Sequence, residues 1–363
     1  MSSVSRGAGY FHRTYSQDLQ QVNTRIRRVG LAGLIVLVLL LPTLVSGQYV
    51  DLAAQSAIAV VGALALNILT GYAGQLSLGH AALLGVGGFA TGIAATEVGV
   101  PWPLDIAVAM VAGAVVGFVL GLPALRLRGL YLVLATVAAH FIAVYAFSHY
   151  QSSRSGIVGL TGMTLDRPAI GTFEFNTPTR WYYLLVAVAA VVALYNVNVL
   201  RTRPGRAWIA IRDRDLVASA LGIAVVRYKL TAFVLSSSLA ALAGSLLVYY
   251  NGSVSAESYT LNLAITYLVM VIVGGLGSTA GAIVGAIFVT CSLRLLTFAL
   301  EALNTSSQFQ TDYLIPLQVV LFGVLTVGFL LFEPRGLIGI WNRLRTYVEL
   351  WPFGRRPLAE RRR

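Results

Sequence analysis

The amino-acid sequence predicts an all-α integral membrane protein of about ten transmembrane helices, with both termini cytoplasmic. Three observations predict it. Hydrophobic residues make up 57% of the 363 residues, only 11% are charged, and mean hydropathy is +0.77; such values belong to the membrane class. Apolar runs recur at about 29–46, 52–70, 80–96, 104–123, 129–149, 181–200, 230–250, 261–276, 281–300 and 313–332. Most approach the roughly 20 residues that a helix needs to cross hydrocarbon. The basic residues then sort into alternate links between these runs.

Counting Arg and Lys sets the orientation. With a cytoplasmic N-terminus, the inner segments are 1–28, 124–128, 201–229 and 333–363, and they hold 22 of the 26 basic residues. The outer links hold Arg154, Arg167 and Arg180 only, and Arg294 lies within a span. Inner loops of membrane proteins collect Arg and Lys, so this asymmetry fixes the expected sidedness. It also accounts for the net charge of +12 without nucleic acid as a partner. Both termini inside requires an even number of spans, as ten is. The outer links carry acids instead, among them Asp51, Glu97, Asp105, Glu257 and Glu301.

In chain order, residues 1–28 form a polar cytoplasmic segment with five Arg against Asp18. No convincing small-x-small cleavage site follows the first apolar run, so that run is expected to stay as a span rather than leave as a signal peptide. Residues 29–332 form the membrane domain. Its one long outer loop, about 150–180, is rich in Gly and Pro and is expected to receive a partner or cover the bundle. Residues 333–363 form a basic cytoplasmic tail, and the membrane lipid itself is an expected contact. Cys291 is the only cysteine, so a disulfide within the chain is impossible. No cysteine cluster for a metal exists, and no cofactor is expected.

Two glycine-rich links fall on the inner side, residues 71–92 and 274–288. Gly lets backbones approach closely and permits broken helices. The Gly113, Gly117, Gly121 stripe is expected to be plain helix packing. The link at 71–79 differs because polar residues accompany the glycines: Gln75, Ser77 and His80, with Asn67 before them. Polar groups at membrane depth face a cavity, water or a partner. Matching glycine-interrupted segments in two halves of a transporter point to its pathway. Asn67, Gln75, Ser77, His80, Gly274, Gly275, Gly277 and Ser278 are therefore the candidate pathway residues, with an inner structural turn as the alternative. His80 and His140 are expected to be hydrogen-bonded structural residues rather than proton carriers. Arg294 is expected to snorkel or pair.

Between the sixth and seventh runs lies a polar island, 201–229, with seven basic residues. Pro204 suits the first turn of a helix and Gly222 suits its end. The intervening RAWIAIRDRDLVASAL has no breaker, so one helix is expected over 205–222. Trp208, Ile209, Ile211, Leu216, Val217 and Leu221 supply apolar surface, and Arg206, Arg212, Asp213, Arg214 and Asp215 supply charge. Lying on anionic lipid would favour Lys and Arg alone. Mixed charge suits docking to a protein of complementary pattern.

The set of motifs is more specific than any one of them. Asn67-Ile-Leu-Thr-Gly-Tyr-Ala-Gly-Gln-Leu-Ser-Leu-Gly-His80, Leu125-Arg-Leu-Arg-Gly-Leu-Tyr131, Gly205-Arg-Ala-Trp-Ile-Ala-Ile-Arg212, Ala220-Leu-Gly-Ile223, Gly274-Gly-Leu-Gly-Ser278 and Pro334-Arg-Gly-Leu337 span most of 52–340. With them the chain resembles the permease subunits of branched-chain amino acid ABC importers, of the LivM type. The resemblance implies a second, LivH-like permease, two cytoplasmic ATPases and an external solute-binding protein. It implies that 205–222 is the coupling helix seated on an ATPase, with Gly205, Arg206, Trp208, Ile211, Arg212, Asp213, Asp215, Leu221 and Gly222 as coupling residues. Leucine, isoleucine and valine are the leading solutes, with urea and short amides as alternatives.

Other functions fit less well. A P-loop would need Gly-x-x-x-x-Gly-Lys-Ser/Thr, and Lys229 is the chain's sole Lys. An ion-driven secondary transporter calls for acids within the spans, and none of the 14 acids falls in the middle of one. A channel has no use for a folded, mixed-charge inner loop. A membrane enzyme would need paired carboxylates, His-Glu-x-x-His or Gly-x-Ser-x-Gly, none of which is present.

Overall fold

The computed structural model describes residues 25–127, 129–154, 163–165, 168–170, 173–174, 177–302, scattered positions between 316 and 333, and 336–350. Most of the amino-terminal segment 1–28, part of the outer loop 150–180, Arg128, much of the tenth apolar run and the last residues of the tail lie outside these. The chain divides into two compact units after Val50. The first contributes helix α1, Arg25–Leu44, with Pro42 near its end. The second holds the rest.

Helix α2, Gly47–Leu66, crosses that division and continues as a π-helical turn, Asn67–Tyr72. After a link come α3 (His80–Thr96), α4 (Leu104–Ala124) and α5 (Leu130–Ser153). Three two-residue strands follow: β1 (Met163–Thr164), β2 (Ala169–Ile170) and β3 (Phe173–Glu174). Helix α6 is Pro178–Arg201, and two short helices succeed it, α7 (Arg203–Asp213) and α8 (Asp215–Ala220). Then come α9 (Val225–Asn251), β4 (Ser253–Val254), α10 (Leu261–Gly274), α11 (Thr279–Ala302) and α12 (Gly336–Leu350). β1 pairs antiparallel with β4, Met163 opposite Val254, and β2 with β3.

The protein is an all-α membrane protein. Among the described residues six helical stretches are long and apolar enough to cross a membrane. His80–Thr96, with 17 residues, is apolar but shorter, and it coincides with the run the sequence marks there. Backbone at 73–79 and 275–278 leaves the helix before α3 and α11.

Helices α2 and α9 form the centre. In their apolar stretches 83% and 72% of residues are buried, against 22% in each of α4, α5 and α6, whose outer faces are apolar. Helix α9 packs most extensively on α4 and α3. Glycines on α4 permit this: a Cβ added at Gly113, Gly117 or Gly121 would overlap Ala241, Ser237 or Leu230 of α9 respectively. This stripe packs helices, as its spacing predicts. Hydroxyls add interhelical bonds: Ser236 donates to the Ala65 carbonyl at 2.7 Å and Thr91 to Ser245 at 2.6 Å.

The two ends of α9 meet different groups. At its carboxyl end Tyr249 donates to Asp105 and Tyr250 to Asp51, so the amino ends of α4 and α2 lie there. Gln55 also donates to Tyr250, at 3.0 Å. Glu97, Tyr150 and Arg154 form a separate cluster between the ends of α3 and α5, with Arg154 3.2 Å from Glu97. At the amino end of α9, the carbonyl of Tyr228 accepts from Trp208. The acids of the expected outer links thus collect opposite the end that carries α7.

Candidate functional site

Site geometry begins at Asn67, which is fully buried. Its Oδ1 accepts from the N–H of Gly277 at 3.0 Å, and its Nδ2 donates to the Ser278 carbonyl at 3.2 Å. One amide side chain therefore satisfies a donor and an acceptor that the break between α10 and α11 exposes. Tyr72 adds a bond of 2.9 Å to Thr279. The two glycine-rich links, far apart in sequence, are one structural unit.

Glycine is required at this junction. A Cβ on Gly71 would overlap Asn67 and lie 2.6 Å from the Gly277 nitrogen. Gly277 has φ of +74°, in the left-handed region that favours glycine, and a side chain there would overlap Arg212. Gly275 touches Gly336, the first residue of α12, whose Cβ would lie 2.6 Å from the Gly275 nitrogen. That contact gives the Gly336-Leu337 motif a structural use. Helix α12 is held in turn by Glu333 and Arg343, 2.9 Å apart. The sequence reading treats this region only as a basic tail and misses the helix.

Arg212 joins the inner loop to this unit. Its Nη1 donates to the carbonyl of Gly71 at 2.6 Å, where the π-helical turn ends, and its stem lies against Gly74. A hydrogen bond from a charged donor contributes about 1.5–3 kcal/mol, with the low end fitting a half-exposed Arg. Two neighbours on α7 fix its direction. Trp208 is 1% exposed and donates to Tyr228 at 2.8 Å, and Ile211 is 4% exposed. Gly205 is buried where α6 turns into α7, and any Cβ there would meet Val199 and Leu200. Pro204 occupies the first turn of α7, as its position predicts.

The single helix expected over 205–222 is two. Arg214 is extended, with φ of −157° and ψ of 103°, and separates α7 from α8. The break leaves Arg212 in the last turn of α7 and Asp215 in the first turn of α8, each complementing its helix dipole. Gly222 ends the segment with φ of +82°. Helix α8 buries Ala218, while its Leu216 and the capping Leu221 are 72% and 76% exposed. Arg206, Asp213 and Arg214 are exposed too.

The remaining predicted residues separate. Ser77 is buried and its hydroxyl accepts from the Gly79 N–H at 3.3 Å. His80 is buried, with Nε2 3.0 Å from the Gly62 carbonyl and its ring edge on Tyr267. Ser278 caps α11 by accepting from the Gly281 N–H at 3.1 Å. Gly274 packs directly on Gly281 and Gly285. Gln75 alone of the set is buried with both side-chain polar atoms lacking a partner. It lines a cavity of about 250 Å³ between the 73–75 turn, the start of α5 and the α7–α8 break.

Residues 48–330 match the family described as branched-chain amino acid transport system / permease component. The chain is 28% identical over 335 residues to the high-affinity branched-chain amino acid transport system permease protein LivM of Salmonella typhimurium, covering 86% of this chain and 75% of that one. LivM of Escherichia coli gives the same identity and coverage. The probable branched-chain amino acid transport permease protein LivH of Methanocaldococcus jannaschii is 28% identical over 253 residues, 67% of this chain and 76% of the relative. No solved structure matches. A match spanning most of the chain, from within α2 to beyond α11, means that the chain belongs to the branched-chain amino acid transport permease family.

Proposed function

We propose that the chain is one of two permease subunits of an ATP-driven importer for leucine, isoleucine and valine, and that Arg212 carries the ATPase stroke into the membrane domain. The observation that carries this reading is the bond from Arg212 on α7 to Gly71, beside the junction that Asn67 makes between the two glycine breaks. The names of the relatives support the solute class. The partners are a LivH-like permease, two cytoplasmic ATPases and an external solute-binding protein, and ATP is hydrolysed on the ATPases.

The protein sits in the bacterial inner membrane with ten spans. Residues 1–28, the 201–229 loop and the 333–363 tail are cytoplasmic, 29–332 is the permease domain, and 150–180 receives the binding protein. Basic residues on one set of links and acids on the other support this orientation. Solute enters between the two permeases and leaves by alternating access. The ATPase seats on the exposed side of α7 and α8, at Arg206, Asp213, Leu216 and Leu221. Trp208, Ile211 and Gly205 hold α7 to the spans. Gln75 faces the exit, while Asn67, Ser77, His80, Gly274, Gly275, Gly277 and Ser278 keep the breaks in shape. A ligand shifts an equilibrium only through differential contact with its two states, and ATPase closure supplies that contact through α7.

Co-expression with the neighbouring ATPase, permease and binding-protein subunits, followed by reconstitution into vesicles, tests the reading. ATP-dependent uptake of labelled leucine that needs the binding protein is expected. A chain that purifies without any ATPase, or vesicles that take up leucine on an ion gradient alone, would overturn it.

A further inference from the structure

We infer that the outer half of the solute passage runs over one face of this chain, with Gln55 of α2 and Arg294 of α11 on its wall. Helix α2 is the most buried of the described spans, and between residues 51 and 73 Gln55 alone is exposed. The one opening in the central helix is thus a polar side chain. Its Nε2 donates to the Tyr250 hydroxyl at 3.0 Å, and that hydroxyl donates to Asp51, one turn away on α2. Arg294 is exposed too, about two turns short of the end of α11 at Ala302, and its charge is felt at Tyr250. Cys291, exposed one turn before Arg294, is hydrogen-bonded with Ser56, the neighbour of Gln55. Helices far apart in sequence therefore bring an amide, a guanidinium and a phenol–carboxylate pair to one face.

Hydrocarbon does not suit this face. A charged or amide side chain turned to lipid is costly, and at membrane depth such groups face a cavity, water or a partner. The outward face of α4 shows the contrast: every exposed residue there is apolar, Val111, Val115, Phe118 and Val119 among them. An Arg near a helix end can snorkel, but Gln55 is short and is held by Tyr250. A dry contact with another helix would strip water from the Arg294 guanidinium, a cost that a wet passage avoids. The sequence places the candidate pathway residues at the inner breaks instead, but Asn67, Ser77 and His80 are engaged there with backbone. The inference rests on the importer reading, in which two permeases enclose the passage.

Cys291 is the chain's sole cysteine, so it reports on this face without any substitution. The tagged chain would be labelled in its native membranes, opened so that a charged, water-soluble methanethiosulfonate reaches both sides, then purified and weighed. A thiol reacts as the thiolate, which forms in water and not against lipid tails. Cys291 is expected to react at least about tenfold faster than Val115→Cys in a Cys291→Ser chain, and Gln55→Cys in that background is expected to match Cys291. Labelling of both as slow as that of Val115→Cys, in membranes and in detergent, would turn the face to lipid. Labelling that becomes fast only when detergent strips the chain of its partners would make the face a dry subunit contact. Either result would overturn the inference. Slow labelling in a complex that still imports leucine would count against this inference alone, and fast labelling in a complex without uptake against the importer reading alone.

Discussion

Helices α7 and α8 are adjacent in sequence, but their large apolar residues differ in what covers them. Helix α7 turns Trp208, Ile211 and the Arg212 guanidinium toward its own chain. Helix α8 buries Ala218 and leaves Leu216 and the capping Leu221 outward. One extended residue, Arg214, separates the two. An apolar residue on a short cytoplasmic helix can therefore be an anchor or a docking residue, and only the covering surface distinguishes them. Both are useful to a transmitting element, which must be fixed to what it moves and open to what moves it.

Substitutions can break this contrast, and the largest effect is expected at the anchor. Trp208→Ala removes a fully buried indole and its bond to Tyr228, at a cost of about 3–5 kcal/mol. Thermal unfolding of the purified chain in detergent should show it as a large drop in midpoint, and a drop no larger than that of Leu216→Ser would erase the distinction between the helices. Asn67→Ala comes next. It leaves the half-buried Gly277 N–H and Ser278 carbonyl without their partner, at roughly 1–3 kcal/mol for the pair. The same unfolding measurement applies, and Asn67→Asp, which keeps the acceptor but sets a buried carboxylate oxygen against the Ser278 carbonyl, should lose at least as much at neutral pH.

A smaller stability effect with a larger functional one is expected for Arg212→Ala. Loss of the bond to Gly71 costs about 1.5 kcal/mol, but it separates the ATPase-facing loop from the glycine junction. Arg212→Lys should retain part of the coupling, since Lys provides charge without the planar fork. At the bottom of the scale, Leu216→Ser and Leu221→Ser should change chain stability by less than about 0.5 kcal/mol, as exposed substitutions do. Their effect should instead appear in co-purification, as less ATPase retained per permease. Full retention in the double variant would remove α8 from the docking surface.

The all-α membrane class, the glycine packing stripe and the ends of the α7–α8 segment could all be read from sequence, because each depends on composition, local periodicity or a turn residue. Gly113, Gly117 and Gly121 recur every four residues and pack as that spacing requires. The junction itself was less legible. The polar and glycine content of 71–79 marks a special backbone, but Asn67 meets a partner 210 residues away, and Arg212 meets a carbonyl 141 residues away. No local pattern specifies such pairs, and a backbone carbonyl leaves no mark in the sequence at all. The break at Arg214 was hidden for another reason: Asp-Arg-Asp is tolerated in a helix, and the extended residue reflects where α7 and α8 must pack. Helical periodicity finds an apolar face without saying whether the same chain or a partner covers it, which is why Trp208 and Leu221 looked alike.

The measurement that tests the transmission role of Arg212 most directly is the number of ATP molecules hydrolysed per leucine imported, in vesicles holding the complete complex, for wild-type and Arg212→Ala chains. If Arg212 joins the ATPase stroke to the glycine junction, the variant should continue to hydrolyse ATP while leucine uptake falls at least about tenfold, raising the ratio accordingly. An unchanged ratio, with the Arg212→Ala complex assembled in normal amounts, would contradict it and return Arg212 to the surface of an ordinary loop.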